Sequence, residues 1–190
     1  MENIAFGEGP RWHNGHLWFS DMHGQQVIKL APNGSHEIIL RLQDDQPSGL
    51  GWLPDGDLLI VSMQKRQVLR FDGKNLSVHA DLSPMASCHC NDMVVDALGR
   101  SYVGNFGFDL HNGAEAEPGE LIRIDIDGSI HLMDNDLSFP NGAVITPDGN
   151  TLIVAETFAG VLTAFDIDPA GNLNNRREWA KLTGDALPDG

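Results

Sequence analysis

The chain is patterned in short apolar runs of four to six residues, each broken by a polar or glycine-bearing turn. Where a run is clear it alternates with a period of two. Val68, Arg70 and Asp72 fall on one side and Leu69 and Phe71 on the other, as a half-buried β-strand requires. No segment shows a convincing helical period. Four stretches repeat the same plan: EGPRWHNGHLWFSD from Glu8, SGLGWLPDGDLLIVS from Ser48, NDMVVDALGRSYVGN from Asn91 and NGAVITPDGNTLIVAE from Asn141. Each opens on a small or polar residue and runs through a strand, a tight turn and a second strand. The turns fall at His13-Asn14-Gly15, Pro54-Asp55-Gly56, Ala97-Leu98-Gly99 and Pro147-Asp148-Gly149, where glycine supplies the positive φ of a hairpin.

A third strand follows each pair (QQVIKLAPNG, RQVLRFDGKN, GELIRIDIDG, GVLTAFDIDPAG), and most repeats add a fourth (HEIILRL, LSVHADL, IHLMDND). The openings recur every 40 to 50 residues, and about four strands at that spacing predict a blade of a β-propeller. A β-sandwich is the alternative, but it does not demand one hairpin motif four times. Asp189-Gly190 falls 48 residues after Asn141-Gly142, on the same beat. The expected fold is therefore all-β, a single propeller domain over residues 1–190, with four blades opening near 8, 48, 91 and 141 and a fifth beginning at 189. A closed six-bladed propeller needs roughly 240 to 300 residues, so the expectation is that this chain is part of a longer one.

Composition narrows the chemistry. Twelve Lys and Arg stand against 27 Asp and Glu, a net charge of -15, which repels phosphate backbones and argues against nucleic acid as a partner. No apolar run approaches the roughly 20 residues that span a bilayer, so no membrane partner is expected. The N-terminus, MENIAFGEGPRW, lacks the basic and then apolar pattern of a signal peptide. The two cysteines, Cys88 and Cys90, are one residue apart and poorly placed to staple a fold, which fits a reducing cytoplasm. Nothing in the sequence sets the oligomeric state.

GEGPRW with LWFSD, then NDMVVDALGRSYVGNFGFDL, then FPNGAVITPDGNTLIVAET resembles the regucalcin/gluconolactonase family of six-bladed propellers, in the same order along essentially the whole chain. That resemblance implies a divalent metal on the propeller axis, calcium foremost, with zinc, manganese or magnesium as alternatives. Carried over residue by residue, it implies Glu8, Asn141 and Asp189 as metal ligands, Asn91 near the metal as a water- or substrate-binding residue, and Asp189 as general base. The residue types agree with this. Each candidate opens its repeat, where inner strands converge, and two carboxylates with amide carbonyls make an oxygen shell suited to Ca2+, Mg2+ or Mn2+ more than to zinc.

Other motifs divide into chemistry and structure. Asp55 and Asp148 share the PDG triplet with Asp189 but stand between the strands of a hairpin, so they are expected to be turn residues. Cys88-His89-Cys90 lacks a second ligand pair at zinc spacing and is expected to pack on the approach to Asn91. His89 stands where related proteins tend to carry an arginine that holds substrate hydroxyls, so a neutral group replaces a charged one. Asp109, 18 residues after Asn91, takes the place of a substrate-contacting Glu. Phe106 to Glu120 is an insertion that reads either as a solvated linker or as a lid. Trp12, Trp18, Trp52 and Phe19 are expected in the core between blades.

The function these residues favour is a metal-dependent hydrolase that opens a small lactone. A non-enzymatic calcium- or ligand-binding propeller uses the same ligands, and a protein-interaction propeller uses none.

Overall fold

A computed structural model describes residues 4–184 and 186–189. Sixteen strands form four antiparallel four-stranded sheets, each built from four strands consecutive in sequence. The first blade holds β1 (Gly7–His13), β2 (His16–Asp21), β3 (Gln26–Leu30) and β4 (His36–Arg41). The second holds β5 (Pro47–Trp52), β6 (Leu58–Ser62), β7 (Gln67–Phe71) and β8 (Leu76–Asp81). In the third are β9 (Cys90–Val95), β10 (Ser101–Asn105), β11 (Gly119–Ile124) and β12 (Ile130–Leu137). The fourth has β13 (Pro140–Ile145), β14 (Thr151–Glu156), β15 (Val161–Ile167) and β16 (Leu173–Lys181). The first strands β1, β5, β9 and β13 pack in succession, the inner edge of a propeller. Among the described residues no helix is long and apolar enough to cross a membrane.

The hairpins form where the turn chemistry requires them. Asn14 and Gly15, both at positive φ, join β1 to β2 in a two-residue turn, and Gly56, Gly99 and Gly149 take positive φ in the other three. The alternating strands then bury one row of side chains on each face of a sheet. Three apolar layers result, one between each pair of neighbouring blades. Leu50, Ile60 and Val27 lie in the first, Leu59, Val61 and Val103 in the second, and Tyr102, Leu152 and Phe165 in the third. Trp18 and Trp52 pack against the first layer, as expected. Phe19 is buried on the other face of blade one, where it lines a hollow with Ile4, Leu17 and Leu30 and meets no second blade among the described residues. Trp12 is not core. It is 68% exposed, because it points away from blade two into a cleft that no further sheet covers among the described residues.

Each second strand ends on a buried polar residue that ties down the loop above it. Asp21 accepts from the amides of Ala5 and Phe6, and Ser62 donates to Asp45. Asn105 accepts from the Gly107 amide, and Glu156 accepts from the Ser138 amide and the Thr163 hydroxyl. These loops share one end of the molecule with the openings of the inner strands, which sets the frame for the site.

Candidate functional site

The site residues occupy one register position, repeated. Gly7 pairs with Asp21, Pro47 with Ser62, Cys90 with Asn105 and Pro140 with Glu156. The next residue of each inner strand is Glu8, Ser48, Asn91 and Asn141 in turn. Each inner strand bulges there, three residues advancing against two on its partner, starting from Pro47, Cys90 and Pro140 in β5, β9 and β13 and one residue later in β1, where Glu8 still pairs with Ser20. A bulge bends the strand and re-aims its side chains. Repeated in every blade within one residue of the same position, it turns one residue per blade toward the same end of the inner edge.

The strands come very close there, which explains the glycines. A side chain added at Gly9, already at positive φ, would lie 2.9 Å from the Ser48 carbonyl oxygen. One added at Gly49 would lie 2.4 Å from the Met93 nitrogen and 2.7 Å from Asp92 Oδ1. Hydrogen bonds then fix two of the site residues. Buried Asn91 donates from Nδ2 to the Pro140 carbonyl at 3.3 Å. Asn141 donates from Nδ2 to Thr157 Oγ1 at 3.2 Å, and Thr157 donates to the Pro188 carbonyl at 2.8 Å. Both amide nitrogens are thus committed to protein acceptors, and both amide oxygens are left as acceptors for a bound group.

Charge converges at the same place. Burial, with the carboxylates of Asp189 and Asp92 nearby, pushes Glu8 up to about 7. Asp92 is itself raised by burial, and Arg11 holds it back with hydrogen bonds of 2.7 and 2.8 Å. Asp189 is exposed and sits directly after Pro188, the acceptor from Thr157. Gly190, its partner on the repeat beat, lies outside the described residues. Among the described residues no three His, Cys, Asp or Glu side chains could hold a metal together, so a cation here depends on the amide oxygens of Asn91 and Asn141. The donor set of Glu8, Asp189 and those two oxygens fits a hard divalent ion, and the crowded carboxylates supply the field that attracts one.

His89 and Asp109 belong to the approach rather than to this ring. Residues 106–118 connect β10 to β11 at the same end of the molecule, with one 3-10 turn at Leu110–Asn112. Asp109 caps that turn, accepting from Asn112 N at 3.2 Å and Asn112 Nδ2 at 2.7 Å, and the side-chain bond holds its carboxyl below the usual range. The His89 ring lies 5.4 Å from that of His111 and 6.0 Å from that of Phe106. Burial, and then the His111 charge, lower its pKa, so it is neutral near pH 7. The insertion is therefore packed onto the approach, and Phe106 stacks on Phe139 at 4.5 Å between ring centroids. Asp55 and Asp148 are exposed and cap their hairpins, as expected. Cys90 is buried in the second apolar layer with its thiol pushed up to about 12 by desolvation, the behaviour of a packed group and not of a thiolate ligand.

Sequence reasoning passed over Arg11, Asp92 and Ser48. Asp92 was visible only as the second half of the ND motif, and Arg11 follows the EGP motif directly, but their pairing 81 residues apart has no local signature. Ser48 did carry a signal, since it opens its repeat as Glu8, Asn91 and Asn141 open theirs.

Known proteins match this chain over most of its length. A pentonolactonase of Haloferax volcanii is 26% identical over 194 residues, 99% of this chain and 63% of its own. A gluconolactonase of Zymomonas mobilis subsp. mobilis is 25% identical over 177 residues, 82% of this chain and 50% of its own. The solved structure of a gluconolactonase from Xanthomonas campestris is 28% identical and superposes with a TM-score of 0.80, covering 97% of this chain and 65% of that one. The chain thus spans between half and two thirds of the length of these relatives. The family model described as the SMP-30/gluconolactonase/LRE-like region matches residues 6–190, from just before Glu8 through Asp189. With four repeated blades and one polar residue turned inward from each, the chain belongs to the SMP-30/gluconolactonase/LRE-like family.

Proposed function

We propose that this chain carries the binding and catalytic groups of a divalent-metal-dependent hydrolase that opens a small lactone, a sugar lactone among them. The observation that carries this reading is Glu8, pushed up to about 7 by burial beside Asp189 and Asp92, at the opening of an inner strand as Asn91 and Asn141 are of theirs. The three related proteins, by their names, act on lactones.

Glu8, Asn141 and Asp189 would hold the ion, calcium foremost, with Asn91 beside them. A bound divalent ion supplies polarisation of a carbonyl and a lowered pKa of water. The chain's own residues do the rest. Asp189, exposed to solvent, accepts a proton from the attacking water as that water's oxygen bonds to the lactone carbonyl carbon. The bond from the carbonyl carbon to the ring oxygen then breaks, and the ring oxygen takes up a proton. A hydroxy acid leaves, ionised near neutral pH. Asn91, fixed by Pro140, presents its amide oxygen to the substrate or to the water. Neutral His89 offers a hydrogen bond without a charge, and Asp109 stands behind it on the insertion. The unpaired cysteines fit a reducing cytoplasm.

Acid release from gluconolactone and a pentonolactone, followed with a pH indicator in Ca2+, Mg2+, Mn2+ or Zn2+, tests the reading. The expected result is release above the spontaneous rate, lowered about 100-fold or more in Asp189→Asn. No release above the spontaneous rate with any ion would overturn it. Ion binding without release would leave a non-catalytic cation- or ligand-binding propeller.

A further inference from the structure

Ser48 is the blade-two member of the ring, and its side chain is chemically unexplained. Its residue is fully buried and its hydroxyl has no hydrogen-bond partner, while its backbone carbonyl accepts from Ser20 Oγ at 2.6 Å. A buried hydroxyl left unpaired destabilises the fold, a cost that alanine at the same place would avoid. Tight packing accounts for a small residue here, because Gly9 lies against the Ser48 carbonyl and Gly49 against Asp92 and Met93. It does not account for an oxygen. That oxygen follows the same strand pairing as Glu8, Asn91 and Asn141, and lies within the same bulge as Asn91 and Asn141. The other members offer carboxylates, or amides whose N–H groups already bond to protein. Among the described ring residues Ser48 alone adds a hydroxyl, which both donates and accepts.

We infer that the Ser48 hydroxyl is a further oxygen of the axial site, hydrogen-bonded to a water in the shell of a hydrated divalent cation held there. The inference rests on the cation-binding part of the proposed function. It makes Ser48 a positioning residue, whose hydroxyl is retained at a cost to the fold.

Calorimetric titration of Ca2+ or Mn2+ into the wild-type chain, Ser48→Ala and Ser48→Cys, with thermal melting of each in EDTA, separates the outcomes. Both variants are expected to bind the ion about tenfold more weakly, the lower end of the effect of losing a residue that supports a metal's ligands. Ser48→Ala is expected to melt in EDTA no lower than wild type. The control Ser62→Ala removes a buried hydroxyl bonded to Asp45, and should melt lower with unchanged ion affinity. Equal affinity in wild type and Ser48→Ala overturns the inference and leaves the cation site standing. A lower melting temperature of Ser48→Ala in EDTA, with unchanged affinity, overturns it in favour of a packing role. If the wild-type chain binds neither ion, the cation reading itself falls, and this inference with it.

Discussion

Glu8 is where the acidity of the chain meets its fold. Its carboxyl is partly buried beside Asp189 and Asp92, so the folded chain holds its proton up to about 7, against an ordinary value of 4.5. Between those values the folded chain keeps the proton and the unfolded chain has released it, so stability falls as pH rises through that window. Melting temperature in EDTA is therefore expected to decline from about pH 5 to about pH 7. Asp92 is raised as well and contributes in the same direction, so Glu8→Gln should flatten this decline without abolishing it. An equally steep decline in the Gln variant would show that Glu8 is not the titrating group. The identity of Glu8 as a candidate was legible in its motif and its place on the repeat. Its environment was not. That depends on Asp92 and Asp189, brought beside it from 84 and 181 residues away along the chain.

At the level of strands, Arg11 links β1 to β9 across the tip of β5. It donates to both oxygens of Asp92 and to the Met93 carbonyl at 2.7 Å. The two partners are unequally buried, 23% exposed for the Arg11 side chain and 3% for Asp92. Removing Arg11 strands a carboxylate in the interior, beside Glu8. Removing Asp92 leaves a guanidinium that can still reach water, and it relieves repulsion on Glu8. Arg11→Ala is expected to cost about 3–5 kcal/mol, Asp92→Ala about 2 kcal/mol, and the double variant clearly less than their sum. Urea unfolding of the three variants checks this, and additive costs would mean the pair does not act as a unit. The strands themselves were readable because period-two alternation and Asn-Gly or Asp-Gly turns are local. The bulge that makes the site was not, since it is a relation between two strands. The exposed Trp12 has the same origin, because an apolar residue on an inner strand is core only where another sheet lies over it.

For the molecule as a whole, the two outermost blades differ from the inner ones in each having a face on which no neighbouring blade packs among the described residues. A cleft of about 550 Å3 beside β1 and β13 is lined by Trp12, Val144, Ile153 and Leu162, with Arg11 and Asp189 at its polar end. Trp12 is 68% exposed and Val144 58%. The free face of blade one carries a second hollow of about 300 Å3, lined by Ile4, Leu17, Phe19 and Leu30. Apolar surface of this kind favours association between copies, and the net charge of -15 opposes it. The balance is set by salt, because the screening length falls from roughly 30 Å at 0.01 M to about 3 Å at 1 M. Copies of the chain are therefore expected to associate reversibly at high salt and to separate at low salt, the reverse of assembly driven by opposite charges. Sedimentation velocity of the 190-residue chain across that range reads this directly. Trp12→Lys with Val144→Glu should abolish the salt-driven association while leaving the melting temperature within a few degrees, since neither side chain packs in the interior. A single sedimenting species of unchanged mass at both salt extremes would show that the exposed apolar strip is too small to overcome the entropy lost on association.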